Sequence, residues 1–384
     1  MPQRFALFAT AARGTEDLLA QELSELGATR IRQDRGGVRF WANWVEALRI
    51  CLWTRIAMRV LYPLGQFQAE GSEGLYRASS EVAWEEHLTS SSTFAVEATL
   101  RDSEHTHSGF VALKIKDAIA DRLRKKLGSR PDVDTANPEV RIVAHLAGST
   151  LSLALDLCGE PLNRRGYRVR TTLAPLKETL AAAILRVAGY SGQESLIDPL
   201  CGSGTFLIEA AMIASARAPG ISRSFAVERW PSTGAQACAI LQDLKADARK
   251  SEHPPPFPIR GIDRDEEAVD AARRNARAAG LGKAIEVAIG DATEPLVVQG
   301  LTPGLLVTNP PYGDRLKAGG QKGMKSFYFK LGEILAQLRG WRTFILAGNP
   351  VFESAFHARP HLVRTLWNGP IECRLLGYVF PSTP

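Results

Sequence analysis

The run Ile197-Asp198-Pro199-Leu200-Cys201-Gly202-Ser203-Gly204-Thr205 decides the fold of the C-terminal half. Residues 195–198 read as a short strand, and the apolar periodicity that begins at Thr205 reads as a helix. Between them, Gly202 and Gly204 remove side chains where backbone must approach a ligand, beside the unpaired N–H groups of a new helix. The turn lacks the third glycine, and the acid about 20 residues on, that nicotinamide-binding folds use.

Outward from this run the alternation of strand and helix continues, which predicts a doubly wound parallel α/β sheet from residue 166 onward. Helices are expected over 176–188, 205–216, 266–279 and near 328–338; strands over 195–198, 259–263, 285–290, 305–309 and 343–347. The stretch 217–258 ends in Pro254-Pro255-Pro256 and reads as an insertion too polar and Pro-rich for one long element. Residues 1–65 read as a small α+β unit: a strand at 5–9, a helix from Thr15 closed by Gly27, then a hairpin of 28–32 and 37–41. Residues 66–165 read as a second α+β unit, with strands at 93–100, 140–146 and 151–157. Its helix buries a stripe of Val111, Ile115, Ala118, Ile119, Leu123 and Leu127. Opposite that stripe stand Lys114, Arg122, Arg124, Lys125 and Lys126, either a solvated face or a phosphate-contacting one.

The 384 residues carry 47 Lys plus Arg against 41 Asp plus Glu, a net charge of +6. Residues 1–165 hold 21 of each sign, so the whole excess lies in 166–384. Such a balance is compatible with a nucleic-acid partner. The five cysteines (Cys51, Cys158, Cys201, Cys238, Cys373) show no Cys-x-x-Cys pair, which argues against a disulfide framework and a zinc site and for a reduced, cytoplasmic setting. His105 and His107 have no cysteine nearby, so no metal is expected. Neither an export leader nor a membrane span is expected.

Two acids stand at the ends of the next expected strands, Asp263 in Gly261-Ile262-Asp263 and Asp291 in Gly290-Asp291-Ala292. Each reads either as a helix or turn cap or as a ligand acceptor, Asp263 for a ribose diol and Asp291 for an adenine amino group. The fourth strand ends in Asn309-Pro310-Pro311-Tyr312. Proline cannot donate to a sheet ladder, so pairing stops there and leaves a stiff turn carrying an amide, free carbonyls and an aromatic ring. Such a turn suits a planar exocyclic amine. Asn309 Oδ1 and the Pro310 carbonyl accept its two hydrogens while Tyr312 stacks on the ring, and methyl transfer then needs alignment more than a strong base.

In this order on consecutive strands, these motifs resemble those of the class I S-adenosylmethionine-dependent methyltransferases that act on amino groups. Asn163-Arg164-Arg165-Gly166-Tyr167-Arg168 and Ala174-Pro175-Leu176-Lys177-Glu178-Thr179-Leu180-Ala181 narrow the resemblance to the THUMP-domain RNA guanine-N2 methyltransferases. The resemblance implies a ferredoxin-like domain over 1–65, a THUMP RNA-binding domain over 66–165 and a Rossmann-like class I methyltransferase domain over 166–384. It implies S-adenosyl-L-methionine as cofactor, lined by Asp198, Pro199, Cys201, Gly202, Ser203, Gly204, Thr205, Asp263, Asp291, Ala292 and Asn309. Asn309, Pro310, Pro311 and Tyr312 would take the target base. RNA is the implied partner, with ribosomal RNA favoured and transfer RNA kept open as the alternative.

Arg164, Arg165, Arg168, Arg170 and Lys177 cluster where the second unit hands over to the third. With Arg124, Lys125 and Lys126 they are expected to contact RNA phosphates. Lys317, Lys322 and Lys325 continue that path through a loop containing Gly319, Gly320 and Gly323, expected to close over a base. DNA adenine or protein glutamine methylation stays open as an alternative, since those families share the Asn-Pro-Pro-Tyr turn; so does an RNA-binding assembly factor without catalysis.

Overall fold

The structure is a computed structural model that describes residues 3–170, 176–296, 298, 300–312, 320–356 and 358–380. The elements run β1 (Phe5–Thr10), α1 (Glu16–Glu25), β2 (Thr29–Asp34), β3 (Gly37–Ala42), α2 (Trp44–Trp53), β4 (Arg59–Gln68), α3 (Gly71–Glu81), β5 (Thr93–Arg101), α4 (Ser108–Leu127), β6 (Asp132–Val133), β7 (Val140–Ala147) and β8 (Thr150–Asp156). There follow α5 (Glu178–Val187), β9 (Leu196–Asp198), α6 (Thr205–Ala214), α7 (Gly234–Ser251), β10 (Ile259–Asp263), α8 (Glu266–Ala278), β11 (Ile285–Ile289), β12 (Leu305–Thr308), α9 (Gly320–Leu335), β13 (Arg342–Ala347), α10 (Phe352–Phe356), β14 (Leu362–Asn368) and β15 (Ile371–Val379). They divide into two compact units. The first takes in the residues up to Ala11, then Ala20–Leu162 and Arg223–Ala246; the second takes in Ala12–Leu19, Asn163–Ser222 and the residues from Asp247 on.

The first unit is built on one eight-stranded sheet in the order β2-β3-β1-β4-β8-β7-β5-β6. β4 pairs with β1 through Phe8↔Leu61 and with β8 through Leu61↔Asp156, so the strand that contains position 65 joins both α+β halves. Strict alternation makes β7 and β8 strands: Val140, Ile142, Ala144 and Leu146 face inward, as do Leu151, Leu153 and Leu155. The buried stripe of α4 is Val111, Ile115, Ala118, Ile119 and Leu123, and Gly128 at φ +79 ends the helix.

The second unit carries a seven-stranded sheet in the order β11-β10-β9-β12-β13-β15-β14. Strands β11 to β13 are parallel, and β15 runs antiparallel to both β13 and β14. Leu305 and Val307 of β12 join a core with residues of α5, α6 and α8, while Leu306 joins another with residues of α9 and α10. Burial on both faces is why this strand reads as an unbroken apolar run.

Two expectations are corrected here. Within 217–258 lies the 18-residue helix α7, which buries Ala237, Leu241 and Ala248 before Pro254 stops the pattern; its polar residues are the outer face of an amphipathic helix. Gly320 and Gly323 lie in α9 rather than in a loop, and Lys322 and Lys325 stand exposed on that helix. Lys317, Gly319, Ala174 and Pro175 lie outside the described residues.

Candidate active site

In the second sheet β9 has β10 on one side and β12 on the other, so chain order reverses at β9. The crevice beyond the carboxyl ends of the strands at such a reversal is where open α/β sheets bind ligands. Asp198, Asp263 and Thr308 are the last residues of β9, β10 and β12, and Gly290-Asp291 follows β11. The second unit therefore gathers Asp198, Gly202, Asp263, Asp291 and Asn309 at one end of its sheet.

Gly202 and Gly204 adopt φ +51 and +83, a backbone that favours glycine. A Cβ on Gly202 would meet nothing within 4 Å, which leaves open space over the turn. Gly204 caps α6 and packs on α8, where a Cβ would lie 3.1 Å from Ala272 Cβ. A side chain at Gly261 would force its neighbours to move, since a Cβ there would stand 2.3 Å from Leu207 Cδ1 and 3.0 Å from Cys201 Cβ. The Gly202 N–H donates to Asp263 Oδ2 at 2.9 Å and the Asp265 N–H donates to Asp263 Oδ1 at 3.0 Å. The cap of α8 is Asp265, not Asp263. Each oxygen of the half-buried Asp263 carboxylate keeps a lone pair, which fits a ribose diol.

Asp198 is buried, and burial pushes its carboxyl up to about 7. The Leu200 N–H donates to its Oδ1 at 3.1 Å. The neighbouring Thr308 hydroxyl pulls the other way, without reaching a hydrogen bond of good geometry. Asp291 behaves oppositely: hydrogen bonds from the Thr293 N–H and hydroxyl, both 2.8 Å, hold its carboxyl below the ordinary carboxylate range, helped by Arg264 and Lys330. Ala292 beside it is buried, Cys201 is buried with its thiol pushed up, and Pro199 lies in the turn after β9.

The Asn-Pro-Pro-Tyr turn leaves the end of β12 between two anchors. Tyr328 of α9 donates from its hydroxyl to the Pro311 carbonyl at 2.7 Å. Asn368 of β14 donates from Nδ2 to the Tyr312 hydroxyl at 2.7 Å. One face of the Tyr312 ring lies against Gly348, where a Cβ would come within 2.7 to 2.9 Å of three ring carbons. Asn309 Oδ1 is buried and has no hydrogen-bond partner among the described residues. Gly313 to Leu316 lie outside the described residues. The supporting residues Tyr328, Asn368, Gly348 and Asn275 carry no local sequence signal, because each acts across the fold.

The arginine cluster needs correction. Arg165 is 4% exposed and pairs with Glu209, whose carboxylate also accepts from the Tyr167 hydroxyl at 3.1 Å, so no phosphate reaches it. The Arg168 guanidinium donates to Glu178 at 2.8 Å, the Leu176 carbonyl at 3.0 Å, Ser203 Oγ at 3.2 Å and Thr205 Oγ1 at 3.1 Å. It serves the glycine turn rather than the surface. Arg164 and Arg170 are exposed and Lys177 is half-buried. On α4, Arg124, Lys125 and Lys126 are exposed, with Arg124 3.4 Å from Asp121. Arg122 is instead held by Glu85 through two 2.8 Å bonds. No group of three or more His, Cys, Asp or Glu side chains among the described residues is arranged to hold a metal, and no described helix is long and apolar enough to cross a membrane.

Residues 165–376 match the family model described as RMKL-like, methyltransferase domain; residues 71–156 match a THUMP domain and residues 6–61 an RlmL ferredoxin-like domain. The ribosomal RNA large subunit methyltransferase K/L of Syntrophotalea carbinolica is 43% identical over 380 residues, 97% of this chain and 53% of that protein. The enzyme of the same name from Pseudomonas entomophila is 39% identical over 391 residues, 98% of this chain and 52% of its own length. The chain thus spans about half the length of these relatives. The crystal structure of SMU.472 complexed with SAH superposes with a TM-score of 0.89 at 31% identity and covers 100% of both chains. The strand order, the glycine turn after β9 and the Asn-Pro-Pro-Tyr turn after β12 sit within the matched region, and the chain belongs to the RMKL-like methyltransferase domain family.

Proposed function

We propose that this chain transfers a methyl group from S-adenosyl-L-methionine to the exocyclic N2 amine of a guanine in RNA, with large-subunit ribosomal RNA as substrate. The observation that carries the reading is Asn309 Oδ1, buried one residue beyond β12 and without a hydrogen-bond partner among the described residues. An unpaired buried acceptor is costly, and it is relieved when a substrate N–H arrives. Family membership, the names of the ribosomal RNA relatives and the SAH bound to SMU.472 support the same reading.

The bound cofactor supplies an electrophilic methyl group on a sulfonium. The turn holding Cys201, Gly202, Ser203, Gly204 and Thr205, with Asp198 and Pro199 before it, lines its pocket; Asp263 receives ribose hydroxyls, and Asp291 with Ala292 receives the adenine amine. Asn309 Oδ1 and the Pro310 carbonyl accept the two hydrogens of the target amine, which turns its lone pair out of ring conjugation. The face of Tyr312 opposite Gly348 stacks on the base. A guanine within a helix must leave its stack to reach this turn. Catalysis rests on alignment and fixed acceptors rather than on a strong base.

Residues 1–65 act as a ferredoxin-like domain, 66–165 as the RNA-binding THUMP domain and 166–384 as the catalytic domain. Arg124, Lys125, Lys126, Arg164, Arg170 and Lys177 contact RNA phosphates. Five free cysteine thiols agree with a cytoplasmic site of action. The test is incubation of the purified chain with S-adenosyl-L-methionine and large-subunit ribosomal RNA, followed by nucleoside mass spectrometry. N2-methylguanosine is expected. N6-methyladenosine, or N2-methylguanosine only with transfer RNA, would replace the substrate assignment.

A further inference from the structure

The segment that leads into the second unit does more than connect. Asn275 of α8 is fully buried, and its amide makes four hydrogen bonds. Its Oδ1 accepts from the Val169 N–H at 3.0 Å and the Arg170 N–H at 3.1 Å, while its Nδ2 donates to the Arg170 and Ser203 carbonyls, both at 3.0 Å. That satisfies a buried amide completely. Arg168, immediately before Val169 and Arg170, reaches Ser203 Oγ and Thr205 Oγ1, on either side of Gly204. Its charge is answered by Glu178 at 2.8 Å, so the guanidinium is a neutralised brace.

A turn with glycines at φ +51 and +83 has little conformational preference of its own, and its shape must be imposed from outside. Ser203-Gly204-Thr205 receives that constraint from Arg168, Asn275 and the packing of Gly204 on Ala272. The far end of the turn is tied separately, by the Gly202 N–H to Asp263. We infer that Arg168 and Asn275 are positioning residues for the cofactor, acting through Ser203 and Thr205 to hold the glycine turn in the form that receives S-adenosyl-L-methionine. The strut of residues 168–170 is then part of the cofactor site although none of its side chains need touch the ligand. This preorganisation lowers the ordering cost of binding, and it rests on the cofactor reading above.

The experiment measures SAH affinity by calorimetry and melting temperature for the wild type, Arg168→Lys and Asn275→Asp. Arg168→Lys keeps a cation for Glu178 and loses the fork; Asn275→Asp keeps the oxygen that accepts from the Val169 and Arg170 N–H groups and loses the donor to the Arg170 and Ser203 carbonyls. Arg342→Lys serves as control, because Arg342 donates to Glu194 and the Ala188 carbonyl at the opposite end of the strands. Well below their melting temperatures, both brace variants should bind SAH about tenfold more weakly, with a raised KM for cofactor and kcat retained at saturation. Arg342→Lys should lower only the melting temperature. A merely structural role would leave KM unchanged and lower kcat with the folded fraction. If the wild type binds SAH and Arg168→Lys binds it equally well, the inference is overturned, even where Asn275→Asp fails to fold. If the wild type binds no SAH, the cofactor reading falls and takes this inference with it.

Discussion

The Tyr328 hydroxyl donates to the Pro311 carbonyl at 2.7 Å, so helix α9 grips the turn that ends β12. Tyr328 is 1% exposed, and burial pushes its phenol up to about 12. Tyr328→Phe removes one atom and strands a carbonyl, which should cost about 1–3 kcal/mol. Urea unfolding of the purified variant measures the loss. Methyl transfer should fall with the stiffness of the turn while SAH affinity holds.

Gly348→Ala tests the seat of Tyr312. The new methyl would stand 2.7 to 2.9 Å from three ring carbons, so the ring must move. Overpacking of this kind costs about 1–3 kcal/mol. Steady-state kinetics should show a loss in kcat/KM for RNA with an unchanged KM for cofactor.

Asp198 makes the unliganded protein sensitive to pH. Its carboxyl is raised in the folded state from an ordinary 3.8 to about 7, so it contributes stability below pH 3.8 that is lost as pH rises towards 7. Asp198→Asn keeps the acceptor for the Leu200 N–H and abolishes the titration. Relative to the wild type, its melting temperature should therefore be higher at pH 8 than at pH 5. A constant difference across that range would show that Asp198 titrates normally.

The buried Arg165 and the exposed run Arg124-Lys125-Lys126 should part in experiment. Arg165→Met leaves Glu209 buried without its cation, a change that costs about 3–5 kcal/mol. The variant that remains folded should bind RNA as the wild type does. Replacing Arg124, Lys125 and Lys126 with alanine should instead keep the melting temperature. It should also flatten the salt dependence of RNA binding, by about 0.7 in slope for each phosphate of single-stranded RNA that is no longer neutralised.

These contrasts mark how far the sequence reaches. The doubly wound half is legible because the short strands β9, β10 and β12 are closed by Asp198, Asp263 and Asn309, each a polar break at a strand end. Asn309 is legible because two prolines forbid further pairing after it. Arg165 is not, since its partner Glu209 is 44 residues on and nothing local distinguishes a buried arginine from a surface one. Asn275 is hidden for the same reason: it looks like one polar residue of a charged helix, and only the fold brings Ser203 to it. Helix α7 is obscured by its polar face and by the prolines behind it.

The most direct test is Asn309→Ala, assayed in parallel for SAH binding and for methyl transfer to large-subunit ribosomal RNA. Removal of this buried acceptor should lower transfer by at least about a hundredfold while SAH binds nearly as it does to the wild type. Retained transfer, or a loss of SAH affinity as large as the loss of transfer, would contradict the role given to Asn309.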